Sequence, residues 1–162
     1  GELIENPTRN GAAWFVQSVE MMSTPKEALD ALGVVDLKST AVVEQGAPQP
    51  TITGSGAISL VEYRPNYLRY ECSVEGGDAV AIFSEVYYKT WKAYVDGEEV
   101  TPVRANYVLR ALPIPAGEHT IEFKCVDELM QTSHRWSLYM SILVGAVLVL
   151  IIGALVYKKV KK

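Results

Sequence analysis

The sequence predicts a mainly β protein with a small α/β part. An antiparallel β-sandwich is preceded by a strand–helix–strand unit and followed by one C-terminal transmembrane helix. Three observations predict it. Short runs of alternating apolar residues, punctuated by Gly, Pro and Asp-Gly turns, fill residues 57–126. A capped helical stretch lies between two β-rich runs near the start. An uncharged run of 21 residues, Ser137 to Tyr157, ends against Lys158, Lys159, Lys161 and Lys162.

In chain order, residues 1–45 form the strand–helix–strand unit. Ala13 to Met21 is rich in aromatic and β-branched residues and reads as one strand. Thr24-Pro25-Lys26-Glu27 reads as a helix start, with Thr24 as N-cap, Pro25 at the first helical position and Glu27 closing a capping box. Ala28, Leu29 and Leu32 supply a short apolar face, Gly33 is expected as a left-handed stop, and Thr40 to Glu44 reads as the second strand. Residues 46–56, rich in Pro, Gly and small polar residues, read as a loop.

The sandwich follows over residues 57–126. Two strands break at Arg64-Pro65-Asn66, and in the second of them Leu68, Tyr70, Cys72 and Val74 share one face. Gly76-Gly77-Asp78 leads into an apolar strand from Ala79 to Tyr88. Asp96-Gly97 marks a hairpin whose turn positions both need positive φ. Pro115-Ala116-Gly117 marks another, after which Ile121, Phe123 and Cys125 share a face. Residues 127–135 read as a membrane-proximal linker, 136–157 as the transmembrane helix and 158–162 as a lysine-rich tail.

The helix is long enough to cross: 21 residues at ~1.5 Å each span about 30 Å, the thickness of the hydrocarbon layer. Trp136, Tyr139 and Tyr157 sit where interfacial aromatics belong. Setting aside the four terminal lysines leaves 11 basic against 19 acidic residues, a net −8 for the rest. That acidity argues against a nucleic-acid partner. The lysines place the C-terminus in the cytoplasm and residues 1 to about 130 outside it. Crossing in that sense needs an earlier span or a signal peptide, and residues 1–14 show neither. The expectation is the C-terminal piece of a longer membrane protein, with a cleaved signal peptide as the rival explanation.

Chemistry is sparse. His119 and His134 have no second His or Cys at ligand spacing, and no nucleotide-binding or nucleophile motif occurs. No catalytic residue, cofactor or metal is therefore expected. Cys72 and Cys125 fall on apolar strand faces, as small buried hydrophobes would. An extracytoplasmic location equally permits a disulfide between them. Aromatics crowd the central hairpins at Tyr87, Tyr88, Trp91, Tyr94 and Tyr107. Of these Trp91, Tyr94 and Tyr107 are the candidates for stacking on a glycan or a lipid-linked sugar, against the plainer reading that aromatics simply fill strands. Ser137, Ser141, Gly145 and Gly153 form a stripe of small residues that suits packing against other spans.

The segments "NPTRNGAAWFV", "YRPNYLRYE" and "FSEVYYKTWKAYVDGEEVTPVRANYVLRALPIPAGEHTIEF" resemble the C-terminal region of the YfhO family of bacterial multi-spanning membrane proteins, in the same order and over nearly the whole chain. Lys89-Thr90 stand before Trp91 where the family usually has Pro-Gly, and the two cysteines are peculiar to this sequence. The family is similar to C-type membrane glycosyltransferases, which transfer sugar from a polyprenyl-phosphate carrier to envelope polymers. The resemblance implies that the catalytic carboxylate lies in an early loop absent from these residues. This chain would then be a non-catalytic extracytoplasmic domain plus the last span in a bacterial cell membrane. Its partners would be the lipid bilayer, upstream spans of the same protein and a glycan or lipid-linked sugar. The alternative is a membrane-anchored carbohydrate-binding or adhesion module with no enzyme attached.

Overall fold

Alternation in the strand that starts at Tyr67 sets the architecture: Leu68, Tyr70, Cys72 and Val74 are buried, while Glu71, Ser73 and Glu75 are exposed. The computed structural model describes residues 9–44, 51–126 and 128–161. Residues 1–125 and 126–162 are separate compact units. The first is built from two sheets, the second is one helix.

The first strands are β1 (Ala13–Val16) and β2 (Ser18–Met22), then helix α1 (Pro25–Ala31) and β3 (Thr40–Glu44). The predicted N-cap is present, Thr24 Oγ1 accepting from Glu27 N at 3.2 Å, but Glu27 Oε2 reaches one residue farther back than a capping box would, accepting from Ser23 N at 3.1 Å. Two further local expectations fail. Gly33 has no positive φ, because the chain leaves α1 through consecutive turns, with Val34 N and Val35 N both donating to Ala31 O. Only Ala28 of α1 is buried; Leu29 is exposed, so the short helix packs by one small residue.

The remaining strands of the unit are β4 (Ser55–Arg64), β5 (Tyr67–Glu75), β6 (Ala79–Val86), β7 (Trp91–Val95), β8 (Glu98–Val100), β9 (Val103–Ala105), β10 (Leu109–Ile114) and β11 (Gly117–Cys125). One sheet runs β1-β6-β10-β9-β3-β2 and the other β4-β5-β11-β7-β8. Of the loop expected over 46–56, residues 46–50 lie outside the described residues, and Ser55 already opens β4. At the Asp96-Gly97 hairpin both residues take positive φ, 50° and 87°, as the turn requires.

The single strand expected over Ala13–Met21 is interrupted at Gln17. β1 pairs antiparallel with β6, and β2 pairs parallel with β3, at opposite edges of one sheet. Because Gln17 alone separates them, that sheet must curl until its edges meet. Ser39 O holds the corner, accepting from Gln17 N at 2.7 Å and Ser18 N at 3.1 Å, and Trp14 Nε1 donates to Leu37 O across the seam. The curled sheet encloses Val16, Val43, Val80, Ile82, Ala105 and Ala111. Small and β-branched side chains fill this interior, with Trp14, Met21 and Leu109 packed against them from the strands' ends and edges.

The main core lies between the sheets. Tyr70, Phe83 and Phe123 pack edge to face, with centroids 4.8–6.1 Å apart, among Leu68, Leu112 and Ile121. Each such fully buried side chain contributes roughly 1.5–3 kcal/mol of transfer free energy. Burial pushes the Tyr70 hydroxyl up to about 12.

In the second unit, α2 (Glu128–Val160) already covers residues 128–135, where a linker was expected. "ELMQTSHRW" contains neither Gly nor Pro, so nothing in it interrupts the helix. Within α2, Trp136–Gly153 is long and apolar enough to cross a membrane. The side chains of Lys158 and Lys159, all of Lys162, and the His134 side chain lie outside the described residues.

Candidate functional site

The aromatic-rich stretch divides between both faces of the second sheet and a turn of the first. Trp91 and Ala93 of β7 face the core; Lys92 and Tyr94 face outward. Trp91 packs one side against Arg110, whose guanidinium lies 4.6 Å from the indole and 5.0 Å from the Phe123 ring. Arg110 is 2% exposed, donates from Nε to Val86 O at 3.0 Å, and has a buried Nη1 without a hydrogen-bond partner. Burial lowers its pKa from the usual arginine value. The pairing with β6 slips between Leu109 and Arg110, and this bulge coincides with the buried guanidinium.

Around Trp91 the chain forms a groove of about 310 Å³, with Tyr87 and Tyr88 on one wall and Val100, Thr101 and Pro102 on the other. Lys92 and Glu99 pair at 3.3 Å across its rim. Aromatic surface beside a fixed polar pair is an arrangement that stacks on the apolar face of a sugar and hydrogen-bonds its hydroxyls. Of the three aromatic candidates only Trp91 lines this groove. Tyr94 lies on the outer face beneath Lys124, 4.8 Å from its ring centroid. Tyr107 sits on the β9–β10 turn, where Asn106 and Tyr107 both take positive φ, 47° and 69°. The sequence placed all three in one dense stretch; alternation and the turn separate them. Tyr87 and Tyr88 are the residues that the structure adds.

A larger, polar trough of about 580 Å³ lies along β4, β5 and β11, lined among others by Ser59, Glu71, Ser73, Glu118 and Thr120. At its end Asp96 Oδ2 meets His119 Nδ1 at 2.6 Å, and Asp96 Oδ1 accepts from Thr120 N at 2.9 Å. The hydrogen bond from His119, then that from Thr120, holds the Asp96 carboxyl below its ordinary pKa. These bonds pin the β7–β8 hairpin to β11. The trough's lining has no Trp, Tyr or Phe, and its one imidazole, His119, is bonded to Asp96, so the groove at Trp91 is the stronger candidate for glycan contact.

Cys72 and Cys125 are free thiols. Cys72 stands opposite His119 in the β5–β11 register and Cys125 lies six residues farther along β11, about 20 Å at ~3.3 Å per residue. That separation is too long for a disulfide. Burial raises the Cys72 thiol pKa. On α2, Ser141 Oγ donates to Ser137 O at 2.8 Å, and Ser137, Met140, Ser141 and Val144 border a shallow depression. A Cβ added at Gly145 or Gly153 would meet open space.

A family model described as "Bacterial membrane protein YfhO" matches residues 52–137, which is 86 of the 162 residues. The match runs from just before β4 through β11 to the first residues of the apolar span. Neither a curated protein nor a solved structure matches the chain.

Proposed function

The chain belongs to the YfhO family of bacterial membrane proteins, and from that premise we propose that it is the non-catalytic accessory part of an envelope glycosyltransferase that uses a polyprenyl-phosphate-linked sugar. In this reading the β unit lies outside the cytoplasm, Trp136–Gly153 is the last span, and the lysine tail is cytoplasmic. The stripe of Ser137, Ser141, Gly145 and Gly153 packs against the enzyme's other spans.

The observation that carries the reading is the groove at Trp91: stacking surface is present, and no nucleophile–base pair accompanies it. The groove holds a sugar of the acceptor or of the lipid-linked donor while chemistry proceeds elsewhere in the parent protein. Calorimetry with the chain in nanodiscs, titrated with envelope oligosaccharides and with a water-soluble polyprenyl-phosphate sugar analogue, tests it. Binding that drops at least tenfold in Trp91→Ala, with the fold intact, supports the reading. Binding that survives this change, or sugar transfer by the chain alone, contradicts it.

The same groove would also serve a membrane-anchored carbohydrate-binding or adhesion module with no enzyme attached. The encoding frame upstream of Gly1 separates the two readings: many apolar spans favour the first, a lone export signal the second.

A further inference from the structure

The strand registers place several chain segments at one end of the β unit. Cys125, the last residue of β11, stands opposite Trp91, and its N–H donates to Asn66 O in the β4–β5 turn. Trp91 N donates to Tyr88 O, Tyr87 N donates to Val108 O, and Leu109 stands opposite Val86. The β4–β5 turn, the β6–β7 loop, the β9–β10 turn and the exit of the chain toward α2 therefore share this end.

Its surface is unusual for a solvated turn cluster. Val86 and Tyr88 are 62% and 64% exposed, and Tyr107 and Val108 beside them are exposed as well. Tyr107 adopts positive φ, a conformation costly for a bulky side chain, and the turn thereby displays its ring at the surface. Lys89 stands exposed among these residues, with a stem long enough to lie along apolar surface. A contiguous apolar and tyrosine patch of this kind marks an interaction surface. The opposite end has a different character. Its turns carry Glu75, Asp78, Asp96, Glu98 and Glu118, all exposed; at the exit end Glu62 and Glu122 are paired with Arg64 and Lys124, and Glu85 stands beside Val86, with Asp127 and Glu128 next in sequence after Val126.

We propose that the exit end of the β unit docks on the headgroup region of the bilayer through Val86, Tyr88, Tyr107 and Val108. Two facts commit the patch to lipid. Residues 126–135 are the whole connection between Cys125 and the apolar span, and with 128–135 in α2 they reach ~20 Å at most, so the patch stays within reach of the interface. Tyrosine beside lysine is also the combination that settles at that depth, the ring entering the acyl boundary while the hydroxyl and ammonium stay wet, and Val86 and Val108 add apolar area beside it. The turns that carry Glu75, Asp78 and Glu118, about 25 Å from Cys125 along β11, and the Asp96-Gly97 hairpin beside Thr120, about 17 Å from it, then lie away from anionic headgroups. The docking needs no sugar and holds whichever side of the membrane the unit occupies; it shares Tyr88 and Lys89 with the groove at Trp91, and the Val86→Ser/Val108→Ser variant tests it without touching that groove's lining.

The test uses the full chain in nanodiscs containing a trace of lipid with a gadolinium-chelate headgroup, first in neutral phosphatidylcholine and then with phosphatidylglycerol added. Amide relaxation is read by NMR. Enhancement at Tyr88, Lys89 and Tyr107 is expected to exceed that at Gly77, Gly97 and Glu118 at least fivefold in both lipids. In Val86→Ser/Val108→Ser, whose positions are exposed and whose amide spectrum reports folding, it should fall at least threefold. Equal enhancement at the two ends overturns the proposal, as does a gradient unchanged by the double substitution, which a slack tether alone would give. Amides at the patch that are protected from exchange yet show no enhancement would mean that protein covers the patch, and would overturn it too.

Discussion

Arg110 offers the sharpest test of the packing beneath the groove. Replacing it with Ala and with Met separates two contributions. The guanidinium loses one charge-assisted bond to Val86 O, about 1.5–3 kcal/mol, and two ring contacts of about 0.5–2 kcal/mol each. Against this stands the cost of keeping a cation desolvated with one buried nitrogen unpaired, several kcal/mol. The terms are of similar size, so Arg110→Met, which keeps the stem and adds a sulfur–aromatic contact, should lie within about 1 kcal/mol of the parent. Arg110→Ala also loses the two methylenes beyond Cβ at about 0.8 kcal/mol each and leaves a cavity, so it should be about 2–3 kcal/mol less stable than the Met variant. Urea unfolding of the chain in detergent micelles, followed by near-UV circular dichroism, measures the difference. Equal destabilisation by Met and Ala would refute the reasoning, because the charge rather than the stem would then hold Trp91 and Phe123.

Asp96→Asn should cost about 0.5–1 kcal/mol near neutral pH, the range of an exposed ion pair, since Asp96 is half exposed. Its carboxyl is held below the ordinary value, so the stabilisation is complete above the usual carboxylate range and is lost as pH falls through the depressed one; thermal melts of parent and variant should converge in acid. Gly56→Ala should destabilise by about 2–3 kcal/mol, because the new Cβ would collide with Ser73 O and crowd the Phe15 ring, which a lowered Tm would report. The two thiols should both alkylate after unfolding of oxidised protein, with no mobility difference between reducing and non-reducing gels; a shift would contradict the strand register.

Features set by neighbours in the chain were legible in the sequence. The Asp96-Gly97 hairpin, the Thr24 cap and the alternation from Leu68 to Val74 depend on residues within a few positions, and each is present. The apolar span needed only length and composition. What escaped depends on distant pairing. Nothing in "AAWFVQSVEMM" announces that Gln17 joins two edges of one sheet, since β1 and β2 take their partners from β6 and β3. Arg110 shares a face with Leu112 and Ile114, so alternation sends it toward the core between the sheets, but nothing nearby in the sequence announces the aromatic floor of Trp91 and Phe123 that receives its charge. Likewise Trp91, Tyr94 and Tyr107 look like one cluster until strand alternation and a left-handed turn send them to three surfaces.

Orientation is the claim on which the functional account rests. On a Cys72→Ser/Cys125→Ser background, Glu98→Cys at the far hairpin and Lys162→Cys at the tail would each be challenged in intact bacteria with a membrane-impermeant maleimide. The account predicts labelling of Glu98→Cys at once and of Lys162→Cys only after permeabilisation. Labelling of Lys162→Cys in intact cells, with Glu98→Cys silent, would contradict it.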